Sequence, residues 1–224
     1  MATLTVYPDS GNPGTTSVAR RVFRSGVSEN FATITAGAGT GVITILGISL
    51  RATSSANVYQ ENYRTVCHFD TSALTSGASI SSAVFSLYGF TPSPKTDDAG
   101  KTPNLALLAS TVVSNNTVAD ADYQSHGTTE FATRYTYAAW TGAGYNDFTL
   151  NASGLSAISK TGTSKFFVMN GQYDLDGVDP SLGGNQEFSV NAYDADTAGT
   201  TNDPKLVITY TLLGTDNMFQ GANF

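Results

Sequence analysis

Apolar side chains recur at every second position in several short stretches of this chain, the spacing of strands with one face on a core. Segment 83–88 places Phe85 and Leu87, with Ala83, on one face. Segment 188–193 alternates in the same way, and 206–211 is a run of β-formers. Segment 165–169, Lys-Phe-Phe-Val-Met, is too dense in apolar residues to alternate and predicts a strand buried on both faces. Segments 31–34, 42–46, 105–108 and 147–150 read as further strands. Helical spacing is confined to 151–160, where Asn151 or Ser153 would cap about two turns and Leu155 with Ile158 would face the core. A single turn is expected at 120–123. Many strands, polar turns and almost no helix predict an all-β fold. The expected form is a β-sandwich of jelly-roll type with one or two very short helices, well under the usual third of residues in helix.

Composition narrows what such a sandwich does. Only 13% of the residues are charged, so the polar surface falls to Ser, Thr, Asn, Gln and Gly. Eleven basic against 18 acidic residues give a net charge of −7, which argues against a nucleic-acid partner and against attraction to an anionic membrane. No run of apolar residues reaches the length of a membrane-spanning helix. The single cysteine, Cys67, excludes an internal disulfide. The first residues, MATLTVYPDSGNPG, lack the basic start and apolar run of a secretory leader. An extracellular style of composition without an export leader suggests a virion protein assembled in the host cytoplasm.

Candidate chemistry is sparse. Cys67 and His68 are neighbours on an expected strand and point to opposite faces, so they do not share a metal. No serine sits in a nucleophile elbow, the glycine-rich run at 36–41 lacks the Lys-Ser/Thr of a phosphate loop, and no enzyme activity or cofactor is expected. Asp174, Asp176 and Asp179 bring three carboxylates into one turn, a candidate calcium loop, against the alternative of a solvated turn. Tyr135, Tyr137, Trp140 and Tyr145 crowd a short segment and are candidates for glycan or subunit contact, or for core.

One stretch has a family likeness. Residues 63–90, YRTVCHFDTSALTSGASISSAVFSLYGF, resemble the pattern R-x-x-φ-x-F-D-x-S-x-φ-P-x-G-A-x-I-x-S-A-x-L-x-L-Y of the DNRLRE-type domain, where φ is apolar. That domain is a jelly-roll module likened to carbohydrate-binding modules. Residues 144–168 and 199–211 resemble its later strands and short helix, so the resemblance spans 63–211. It implies a scaffold in which Phe69 and Leu74 are core and Asp70 caps the following turn, and it brings no catalytic residue. Where the family often has proline, this chain has Thr75. Similar modules occur in phage virion proteins.

These observations divide the chain into an N-terminal arm and β segment (1–60) packing on the main domain, a jelly-roll sandwich (61–211) and a C-terminal docking tail (212–224). Met218, Phe219 and Phe224 would anchor that tail on a neighbour. The leading expectation is a non-enzymatic phage structural protein, a capsid decoration or head-fibre-like protein. It would work as a homo-oligomer, on the major capsid protein, or both. The alternative is a carbohydrate-binding module contacting glycans.

Overall fold

A computed structural model describes residues 1–91, 94–96, 100–195 and 199–212. In chain order its elements are β1 (Ala2–Val6), β2 (Val18–Glu29), α1 (Phe31–Ala36), β3 (Gly41–Ile43), β4 (Leu46–Ala52), β5 (Tyr59–Asp70), β6 (Ala78–Tyr88), β7 (Lys95–Thr96), β8 (Asn104–Ser110), β9 (His126–Glu130), β10 (Tyr135–Thr136), β11 (Tyr145–Thr149), α2 (Ala152–Ser156), β12 (Thr163–Asn170), β13 (Glu187–Ala192) and β14 (Lys205–Leu212). Every pairing is antiparallel. A four-stranded sheet in the order β1-β14-β6-β11 faces a larger sheet running β10-β8-β12-β5-β4-β13-β7, with β2 also on β5. The protein is an all-β sandwich of the expected kind.

The alternating strands behave as their spacing dictates. Ala83, Phe85 and Leu87 of β6, Leu206 and Ile208 of β14 and Phe148 of β11 point into the main core. There they meet Phe69 and Phe166 of the larger sheet, with ring centroids 5.6–6.0 Å apart. Strand β12 is buried on both faces. Phe166 joins the main core, while Phe167 joins a second cluster with Val18, Val22, Val66, Leu108 and Tyr123 on the outer side of the larger sheet. Loop residues Val112 and Val118 complete that outer cover.

Strand β5 forks. Along one edge it pairs with β2 from Val18↔His68 to Glu29↔Tyr59. Along the other it pairs first with β4, over Tyr59–Tyr63, and then with β12, over Thr65–Asp70. At the junction the Thr65 hydroxyl accepts from Gly47 N–H and donates to Gly47 C=O, each at 3.2 Å. One side chain thus supplies both halves of a ladder rung where β4 and β12 part.

Two expectations are corrected. Residues 31–34 are helix, not strand. Phe31 and Ile34 are buried one turn apart, and the Asn30 side chain accepts from Thr33 N–H at 2.9 Å. A six-residue helix is too short to persist alone. Its final carbonyls are satisfied by the side chains of Tyr123 (to Ile34), Arg64 (to Thr35) and Gln124 (to Thr35 and Gly37). Second, the segment 1–60 is woven into the sandwich rather than laid on it, since β1 pairs with β14 and β2 with β5. Its first 31 residues find their partners within this chain. Met218, Phe219 and Phe224 lie outside the described residues.

Candidate functional site

The resembling stretch is scaffold. Phe69 and Leu74 are fully buried, and the Asp70 carboxylate accepts from Ser72 N–H at 3.0 Å, which holds the turn. Thr75, at the position of the family's proline, has φ +62°, a backbone conformation that proline's ring forbids.

The structure separates the three aspartates. Asp174 is buried and pairs with Arg64, Asp176 pairs with Arg134, and Asp179 accepts from the Tyr59 hydroxyl and from Ser181 N–H. Each carboxylate is committed to a different partner. Among the described residues no three acidic, imidazole or thiol groups converge as a metal cluster.

The aromatic segment also divides. Tyr137 and Trp140 are core residues, 1% and 5% exposed, so the contact reading fails for them. Tyr135 is half-buried between Trp140 and Phe148. Of these four, Tyr145 alone reaches the outer face of the four-stranded sheet, and there it meets rings remote from it in sequence. Tyr88 is its register partner across β6 and β11, with centroids 5.0 Å apart at 83°. Tyr193 lies 5.9 Å from Tyr88, and Phe90 lies 5.1 Å from Tyr193. Four partly exposed rings therefore run in a line, Phe90–Tyr193–Tyr88–Tyr145.

Backbone crossing at the sheet corner sets this line. Beyond β6 the chain leaves the smaller sheet, and Phe90 N–H donates to Asn191 C=O while Tyr193 N–H donates to Tyr88 C=O. Gly89 is required between them, because a Cβ there would stand 2.0 Å from the Thr141 carbonyl oxygen. Polar groups flank the rings. Lys205 Nζ sits 3.4 Å from the centroid of Tyr145. The Tyr145 hydroxyl donates toward the carbonyls of Thr201 and Asp203, and burial pushes its pKa up to about 12. The next outward row is Lys205–Ser86–Asp147. Ser86 is 1% exposed, and its Oγ has no hydrogen-bond partner among the described residues.

The signal for Tyr88 was present in the sequence: it shares the even-numbered, outward face of β6 with Ser86, opposite Phe85 and Leu87. Phe90 and Tyr193 carried no such signal, because a corner crossing brings them in.

A separate polar cleft of about 430 Å³ is lined by Thr15, Thr16, Asp70, Ser72, Asn116 and Thr163 among others. Hydrogen bonds from Ser72 hold the Asp70 carboxyl below its usual pKa.

No protein-family model matches the chain, and no curated protein does. One solved chain is described as "Structural basis for the promiscuous specificity of the carbohydrate- binding modules from the beta-sandwich super family". It is similar over 94% of this chain and 74% of its own, at 12% identity and a TM-score of 0.25. A likeness at that score carries no argument about the site, whose reading rests on its own geometry.

Proposed function

We propose that this chain is a non-catalytic binding module that docks carbohydrate on its line of aromatic rings. The observation that carries the reading is the outward Tyr88–Tyr145 pair with the Lys205–Ser86–Asp147 row beside it. A pyranose has an apolar C–H face and a rim of hydroxyls. Ring faces match the first, and an ammonium and a carboxylate match the second. Titration calorimetry with neutral oligosaccharides tests it. Tyr88→Ala and Tyr145→Ala are expected to weaken binding at least 10-fold while the fold persists. Absence of binding to any neutral oligosaccharide, or unchanged affinity in both variants, overturns it.

The resemblance of 63–211 to modules of phage particles supports a second, compatible reading of place: display on a virion surface, as a homo-oligomer or on the major capsid protein. Immunogold labelling of particles from a host carrying this sequence tests it, and label confined to the soluble lysate overturns it.

A further inference from the structure

The larger sheet carries a second patch with unmet hydrogen-bonding capacity. Arg21 of β2 lies against the ring of Tyr63, with its guanidinium carbon 4.2 Å from the centroid and 5.9 Å from that of Phe23. Phe23 and Tyr63 are register partners, as are Tyr63 and Ser49. Directly paired residues of antiparallel strands share a face. Phe23, Tyr63 and Ser49 therefore form one row, with Arg21 over it.

The other two cations on this face are engaged. Arg51 pairs with Glu61, and Lys95 with Glu187. Arg21 is held by rings instead, and among the described residues its buried Nε has no hydrogen-bond partner. Ser49, 3% exposed, likewise has an Oγ without a partner. Desolvation holds the Arg21 pKa below its usual value, despite support from Glu61. A guanidinium already oriented by stacking loses little freedom when it closes a two-pronged contact, and the group it fits is a carboxylate.

We infer that Arg21, backed by Tyr63 and Ser49, is a binding site for a carboxylate-bearing saccharide such as an oligouronate. The carboxylate follows from the guanidinium at this site, whereas the saccharide class rests on the carbohydrate reading proposed above; the site lies on the other sheet from the Tyr88–Tyr145 pair.

The experiment titrates the full chain with an oligogalacturonate, with the same oligomer methyl-esterified, with sodium acetate and with a polyglutamate peptide. Expected is binding of the acid oligomer, at least 10-fold weaker binding of the ester, acetate and peptide, and loss of at least 10-fold in Arg21→Gln. Arg21→Lys keeps the charge and loses the fork, and is expected to fall similarly. Thermal unfolding midpoints check that the variants fold, and Ser49→Ala provides a milder variant with an expected threefold loss. In a Tyr145→Ala background, which removes the aromatic line, acid-oligomer binding is expected to persist and still to fall at least 10-fold on Arg21→Gln, which separates the two sites. The proposal is overturned by equal binding of acid and ester, by no binding of the acid oligomer, by equal binding of polyglutamate, or by Arg21 variants that bind as the parent does.

Discussion

Arg64 and Asp174 stand 110 positions apart in sequence and form a two-pronged ion pair, Nε to Oδ2 at 2.8 Å and an outer nitrogen to Oδ1 at 2.7 Å. Both side chains are withdrawn from water, at 2% and 0% exposure. The remaining guanidinium hydrogens go to the carbonyls of Tyr123 and Thr35 and to Gln124 Oε1, while the guanidinium carbon lies 3.9 Å from the Tyr123 ring centroid. One arginine therefore joins β5, α1, the 120–124 turn and the turn after β12. Removing one partner leaves an uncompensated buried charge. Arg64→Met is expected to cost about 3–5 kcal/mol by urea denaturation. The double change Arg64→Met with Asp174→Leu is expected to recover most of that loss.

His68 gives the protein a specific acid sensitivity. The ring is buried between Asn115 C=O and Ser110 Oγ, and desolvation pushes its pKa down to about 4. An unfolded histidine titrates near about 6.5. Between these values the unfolded chain holds a proton that the folded chain refuses, so stability is intact above the upper value and falls as pH drops through the window. The loss amounts to at most about 3 kcal/mol. Denaturation of the parent and of His68→Gln across pH 4–7 is expected to show a difference that shrinks as pH falls.

At Thr75, φ +62° with ψ 158° is a region that suits glycine and strains a β-branched side chain. Thr75→Gly is expected to stabilise by about 1 kcal/mol, and Thr75→Pro, which matches the resembling family, to destabilise by at least as much. Thermal unfolding reads both.

Gly154 inverts a propensity rule. In an isolated helix, alanine would improve on glycine by about 1 kcal/mol. Here a Cβ would stand 2.7 Å from the Phe131 carbonyl oxygen and 3.1 Å from Leu150 Cβ. Gly154→Ala is expected to destabilise by about 1–3 kcal/mol. A raised melting temperature would contradict the close packing of α2 on Phe131.

Cys67 is fully buried, and burial raises its thiol pKa well above the usual value. Thiol-specific reagents are expected to leave the native protein unlabelled over hours and to label it stoichiometrically in denaturant. Rapid native labelling would show that the core opens there.

How much of this was legible follows from what each residue's neighbours in sequence reveal. Phe85, Leu87, Phe166 and Phe167 announced their faces because strand period alone decides them. Phe31 and Ile34 did not, since a four-residue FATI fits either period and the deciding groups, Arg64, Tyr123 and Gln124, are remote. Strand β2 was not legible, because Arg20, Arg21 and Arg24 obscure its apolar period and its pairing edge, β5, is remote in sequence. Tyr137 and Trp140 look like Tyr145 in sequence; only the turn at Tyr137–Ala139 sends the first two inward. The line of rings was half legible, through Tyr88, and half a product of the crossing at Gly89.

The shared rung at Thr65 bears on how the molecule comes apart. Because β4 and β12 draw on successive stretches of the same strand, neither half of the larger sheet has an edge of its own along which to peel away. Opening either half exposes β5 and withdraws the register of the other. The domain is thus expected to lack separately melting subunits, and amide protons of β5 are expected to exchange with solvent only through whole-molecule unfolding.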